Sequence, residues 1–428
     1  MGRTLPGGFR QRQSLLDGWG EFVLKRVRAV LTWLSTAHRL DLAASFSPAD
    51  FLVSTDFWVR MPWLIILAAA GLLALGLTGI ARADALSEGA NLLSRQLTWM
   101  MLAVPVVCFT AAVPYTHWQR WSYLFFAICL PLLVIVFFQP ARNGARSWIP
   151  LGFFDLQPSE LMKLAFILAL ARHLMYQDHY RKIGGLILPF LLMLVPVALI
   201  LKEPDLGSAM LFVPVLFAML FTAGARRWHL LLIIGLGMAS LPVFWSAMNA
   251  EQRSRITSLF LQTDGGPAPH GDGYHLHQSK QVLSLGRVWG SEWSGMPVDD
   301  PSAYRLPAGQ TDFVFCFVGE RWGLWGALLT LSLYLVLFWQ GLRIANATQD
   351  PYGRLIALGI TVLLAAQTII NTGMTVGLMP ITGITLPLMS YGGSSLIATS
   401  VALGLLINIS LRPGYFVTDD PFRFQKSP

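Results

Sequence analysis

Apolar residues run in long blocks along most of this chain, interrupted by short polar connections. Such blocks occupy 58–80, 97–115, 121–138, 184–201, 206–223, 228–248, 313–342, 355–378 and 393–411, and a more polar one occupies 158–176. A helix needs about 20 apolar residues to cross a hydrocarbon core of about 30 Å. The blocks lack the period-two alternation of barrel strands, and in lipid each backbone group must be bonded within its own segment, so they are predicted to be helices. The expectation is an all-α polytopic membrane protein of about ten transmembrane helices, with a long extracytoplasmic loop at 249–311 between transmembrane helices 7 and 8. Connections of that length are functional or disordered, and the aromatic second half of this one favours function.

Composition agrees: 54% of the 428 residues are hydrophobic and 13% charged, far below the roughly one quarter charged in soluble chains. Three parts are expected, a basic cytoplasmic segment at 1–56, a transmembrane domain at 57–412 and a cytoplasmic tail at 413–428. Most of the 31 lysines and arginines fall on one side if both termini are cytoplasmic, and the short connections on the other side carry few. That bias accounts for the net charge of +8, which therefore gives no argument for a nucleic-acid partner. The first 56 residues lack the apolar core and cleavage site of a signal peptide; 23–33 reads either as a basic amphipathic helix on the membrane or as disordered tail. Cys108, Cys129 and Cys316 lie inside spans without paired spacing and read as packing residues.

Against this apolar background a few polar positions stand out. Asp312 ends the polar loop just where an apolar span begins, and an acid at such a mouth is a candidate working group. Partial burial raises a carboxyl toward the range in which it can accept a hydroxyl proton. Glu160 and Lys163 are three apart on one face of the fourth span, either a structural ion pair or part of a cavity. Glu203 and Asp205 sit in a tight turn, expected at the surface. Arg146 can hold a phosphate with its planar fork, beside Trp148 as an interface anchor. Glu320 and Arg321 are adjacent, so they serve different neighbours as packing ties. The stretch 377–395 is apolar but too broken by Gly and Pro for a plain helix, and is expected to fold back and line a cavity.

Six motifs in order, Gly144-Ala145-Arg146-Ser147-Trp148-Ile149, Gln157-Pro158-Ser159-Glu160 with Lys163, Glu203-Pro204-Asp205-Leu206-Gly207, Gly273-Tyr274 with Gln278-Ser279, Leu306-Pro307 with Thr311-Asp312-Phe313, and Pro387 to Ser395, resemble the SEDS family, the shape, elongation, division and sporulation proteins that include RodA, FtsW and SpoVE. The resemblance implies a peptidoglycan glycosyltransferase that polymerises lipid II on the outer face of the inner membrane and releases undecaprenyl pyrophosphate. It makes Asp312 the general base, and makes Glu160, Lys163, Arg146, Arg305, Gln278, Ser279 and Ser394 candidate substrate-binding or cavity residues. It implies a class B penicillin-binding protein, a transpeptidase, as partner, and membrane lipid as surroundings. A divalent cation could share the charge of the leaving diphosphate, though no carboxylate cluster in the sequence demands a metal.

The chain departs from the family pattern at Ala308, Gln310 and Arg321. Gln157-Pro158-Ser159-Glu160 and Ala171-Arg172 lean toward the RodA type, the long amino-terminal segment toward FtsW. Two other classes explain charges in spans: a lipid-precursor flippase or transporter, and a catalytically silent scaffold for a transpeptidase.

Overall fold

The computed structural model describes residues 61–86, 91–140, 146–152, 154–175, 183–262, 272–295, 304 and 306–412. The amino-terminal segment 1–56, the tail 413–428 and Arg305 lie outside the described residues. Nine helical stretches among the described residues are long and apolar enough to cross a membrane. They include α1 (Trp63–Leu86), α2 (Leu92–Ala112) and α3 (Tyr115–Val136). After a two-stranded antiparallel hairpin, β1 (Ile149–Pro150) with β2 (Asp155–Leu156), comes the shorter α4 (Pro158–Leu174). Then follow α5 (Ile187–Lys202), α6 (Leu206–Ala223), α7 (Arg227–Ala239) and α8 (Leu241–Ala247).

The predicted seventh span is thus two helices, α7 and α8, that together make one crossing. They part at Ser240, because Pro242 in the first turn of α8 has no N–H to continue the ladder. Within the expected long loop the chain forms α9 (Ala250–Phe260), α10 (Asp272–Leu285) and α11 (Ser291–Ser294). The bundle closes with α12 (Val314–Ala347), α13 (Pro351–Thr375) and α14 (Gly393–Leu411). The end of the bundle from which the 249–311 connection emerges is called the loop face below.

At 17 residues α4 is about 26 Å long, at about 1.5 Å per residue, too short and polar to be recognised by apolar length alone. It nevertheless forms the centre. All its residues except Leu161 and Arg172 are buried, and it touches α3, α5, α6, α13 and α14. A helix buried on every side needs no polar stripe, which is why it shows none.

Charges explain where helices run past their apolar blocks. Arg82 lies beyond the block predicted to end at residue 80, and α1 continues because its guanidinium makes a two-pronged bond to Glu320 of α12, at 3.0 and 2.9 Å, with Glu320 fully buried. Arg321 pairs instead with Glu292 of α11 at 2.8 Å. The two adjacent residues thus serve different neighbours, as their spacing requires. At the opposite face the exposed carbonyls at the end of α2 are met by side chains of α14. Asn408 donates to the carbonyls of Thr110 and Val113, and Arg412 to those of Ala111 and Ala112. Helix ends buried among apolar neighbours require such partners.

α12 bends at Gly323, whose φ of 65° and ψ of −156° leave the helical region. The loop-face turn 286–290 fits into this notch: a Cβ at Gly323 would collide with the Val288 carbonyl, and the Leu324 N–H donates to the Arg287 carbonyl at 3.0 Å. Only glycine supplies both the positive φ and the close approach. Cys129 and Cys316 are buried as expected of packing residues, whereas Cys108 is exposed on the outside of α2.

Candidate active site on the loop face

The segment between α13 and α14, residues 376–392, is irregular and folds back among the helices, with Ile381, Thr382, Ile384, Leu386, Leu388, Met389 and Ser390 all buried. The folding back matches the expectation drawn from its Gly and Pro content. It meets the turn that carries Asp312 through three consecutive carbonyls. The Tyr391 N–H donates to Gln310 O at 2.9 Å, the Ser390 hydroxyl donates to Thr311 O, and the Asn371 side-chain amide donates to Asp312 O at 2.7 Å. The turn closes on itself through the Thr311 and Asp312 amides, which donate to the Ala308 carbonyl. Ala308 has φ of 53°, a left-handed conformation in which a side chain is strained. Gln96 of α2, buried, accepts from Gly392 N and donates to Ser390 O, both at 3.3 Å.

Asp312 is half-buried, and its Oδ2 lies 3.7 Å from where a Cβ of the exposed Gly383 would stand. Removal from water pushes its carboxyl up to about 6. The Thr311 hydroxyl and the Arg255 cation pull it down, and the Asp205 charge adds to the upward push. Asp205 reaches this neighbourhood because α6 begins here: its carboxylate caps the helix by accepting the Ser208 N–H at 2.9 Å. A Cβ at Gly207 would collide with the Thr382 carbonyl, so α6 starts against the backbone beside Gly383. Burial raises the Asp205 carboxyl as well, while its hydrogen bonds to Ser208 and the Lys163 charge lower it.

Lys163 and Glu160 are paired inside α4, Nζ to Oε1 at 2.9 Å, with 3% and 8% of their side chains exposed. Glu160 and Lys163 thus act on Asp205, and Asp205 on Asp312. Arg255, from α9, was not singled out in the sequence; its position among several arginines of the loop gave no signal, and only the fold brings its charge to Asp312.

The other expected site residues lie differently. Arg146 is exposed and donates to the Phe137 carbonyl at 2.9 Å, bracing the end of α3. Ser279 is buried and ties α10 to α13 through the Thr375 carbonyl at 3.1 Å; Gln278 beside it is also buried. Ser394 donates to Asp155 O at 2.7 Å and accepts from Gln157 N at 3.1 Å, joining the starts of α14 and α4 to the hairpin. Ser279 and Ser394 therefore serve as ties between elements of the loop face.

Glu203 corrects the expectation of a surface turn. It is 1% exposed, neither carboxylate oxygen has a hydrogen-bond partner, and burial, with the Asp205 charge beside it, pushes its carboxyl up to about 8. The folded protein thus holds a proton that the unfolded chain gives up at the ordinary 4.5. This contribution to stability is fully present below 4.5, declines as pH rises and is lost above about 8. Glu203→Gln, which keeps the shape without the charge, is expected to stabilise the protein in detergent at pH 9 by an amount on the order of a few kcal/mol, read as a higher melting temperature, while changing little at pH 4.5. A scan of melting temperature against pH for both proteins checks this; parallel curves would sink it.

Among the described residues no three or more His, Cys, Asp and Glu side chains come together to hold a metal ion.

Residues 59–413 match the family described as FtsW, RodA and SpoVE, cell cycle protein. The chain is 35% identical over 329 residues to a probable peptidoglycan glycosyltransferase FtsW of Trichlorobacter lovleyi, covering 76% of this chain and 84% of that one. It is 38% identical over 325 residues to the stage V sporulation protein E of Bacillus subtilis, covering 74% and 86%. Among solved structures it resembles a chain from work on the coordination of polymerisation and crosslinking by a peptidoglycan synthase complex, with a TM-score of 0.69 at 30% identity, covering 83% and 98%. It also resembles the rod shape determining protein RodA of Thermus thermophilus, with a TM-score of 0.61 at 28% identity, covering 84% and 99%. Relatives named for FtsW and SpoVE stand beside structures of RodA, so the lean toward the RodA type gains no support.

Proposed function

Because the chain belongs to the FtsW, RodA and SpoVE family, we propose that its loop-face site joins lipid II units with Asp312 as the general base. The protein is a multi-pass membrane protein and a peptidoglycan glycosyltransferase acting in cell-wall synthesis. The observation that carries the assignment of the base is the half-buried Asp312 carboxyl, raised to about 6 and held on a turn whose three carbonyls are fixed by hydrogen bonds.

In this reading the loop face is the outer face of the inner membrane and both termini are cytoplasmic, as the distribution of lysine and arginine favours. The 4-hydroxyl of the GlcNAc of one lipid II attacks the anomeric carbon of the MurNAc at the reducing end of the growing chain. Its proton passes to the Asp312 carboxylate as the new C–O bond forms. The old bond from the anomeric carbon to the diphosphate oxygen breaks, and undecaprenyl pyrophosphate leaves. Negative charge on that leaving oxygen calls for fixed cations. Arg255, whose charge already reaches Asp312, and Lys163 stand on the site side of the protein; Arg146 and Arg305 are further candidates from the sequence. A class B penicillin-binding protein is the transpeptidase expected to crosslink the product, consistent with the synthase-complex likeness.

Purified protein with its transpeptidase is expected to convert labelled lipid II into long glycan strands. As a base, Asp312 must be ionised, so the rate should fall on the acid side with a midpoint at about 6. Lipid translocation in liposomes without any polymer would replace this reading with the flippase; neither activity would leave the scaffold.

A further inference from the structure

Asn371 lies in α13, remote in sequence from the Asp312 motif, and none of its surface is exposed. Both hydrogens of its side-chain amide are used, one on the Asp312 carbonyl and one on the Ile384 carbonyl, each at 2.7 Å. One planar group thereby joins the turn that presents Asp312 to the folded-back segment whose Gly383 lies against the Asp312 carboxyl. Asparagine suits this joint because its two N–H donors diverge from a single nitrogen, a geometry that Asp and Ser do not offer. Its Oδ1 is buried without a partner.

We propose that Asn371 is a positioning residue of the polymerase, setting the distance between the Asp312 carboxylate and the hydroxyl it deprotonates by locking the Asp312 peptide to the 381–384 backbone. This rests on the reading of Asp312 as base. Asn371 touches no reacting atom; it acts by limiting how far the turn can move.

A matched control is present in the same molecule. Asn408 is equally buried and spends its amide on two carbonyls, those of Thr110 and Val113, at the opposite face. The test compares Asn371→Ala and Asn371→Ser with Asn408→Ala, measuring melting temperature together with kcat and KM for lipid II across pH, in the full chain with its transpeptidase. The Asn371 variants should lose about 100-fold in kcat, the scale of a misplacement of about 1 Å, with KM within about threefold. Their acid limb should also move to lower pH, because a loosened turn lets water reach Asp312. Asn408→Ala should lower the melting temperature while kcat and the acid limb stay put. Asn371→Ser fills part of the space and retains one donor, so it keeps the test open if the alanine variant does not fold. If both Asn371 variants turn over at the wild-type rate while Asp312→Asn is inactive, Asn371 has no positioning role and the base assignment survives. An active Asp312→Asn would remove the base assignment itself, and with it the premise here.

Discussion

Asp312→Asn loses polymerisation by roughly 10²–10⁴-fold while the protein stays folded, the range expected when a positioned base is removed. Removing the carboxylate deletes the proton acceptor and leaves the shape of the side chain. The fold should not suffer, because the bonds that hold the turn are made to the backbone carbonyls of Gln310, Thr311 and Asp312 and not to the carboxyl. At neutral pH the variant should even gain slightly, since a carboxyl raised to about 6 stabilises the fold only when protonated: that contribution is complete below the ordinary 3.8 and lost above about 6. Glycan chain assembly from labelled lipid II, paired with a melting curve in detergent, separates the two effects. A variant that unfolds would return the turn to a structural role.

Lys163→Ala is expected to destabilise the protein by about 3–5 kcal/mol, because it leaves the buried Glu160 without its partner. Replacing both members at once, Glu160→Gln with Lys163→Met, should restore most of that loss, since the desolvation of two charges nearly offsets their attraction. Activity should not return with stability. Lys163 and Glu160 act on Asp205, which acts on Asp312, so the double variant changes the electrostatic setting of the base even when the helix is sound. Unfolding curves together with polymerisation rates decide the matter. A double variant with wild-type turnover would make the pair a structural pin alone.

The spans were legible in the sequence because apolar length alone determines them, and the expected seventh span erred only where Pro242 splits it. α4 was the hardest to see, being short and polar at its start, and its central place follows from neighbours that no local window contains. Asp312 stands out in the sequence because an acid stands alone against an apolar run, and the structure half-buries it beside Gly383. Asn371, Gln96 and Arg255 were not, since nothing in their local sequence shows which carbonyl or carboxylate the fold will bring to them. Glu203 misled for the same reason: its tight turn reads as surface, but packing buries it. Arg146 carried the chemistry to grip a phosphate, yet the structure gives it the end of α3 to brace.

Four helices, α4, α6, α12 and α14, begin around the Asp312 turn. Ser394 of α14 bonds the N-cap residue of α4, α6 starts against Thr382, and α12 follows Asp312 directly. Each contributes roughly half a positive charge at its first turn; Glu160 lies in the first turn of α4 and the Asp205 carboxylate caps α6, while α12 and α14 have neither a side-chain cap nor an acid in the first turn. The contribution of α12 and α14 is made of peptide dipoles, which do not titrate and which no single side-chain substitution removes. In the proposed reaction, a leaving diphosphate at this face would meet these uncapped helix starts as well as the side-chain cations, and that part of its attraction would not vary with pH while the bundle stays folded.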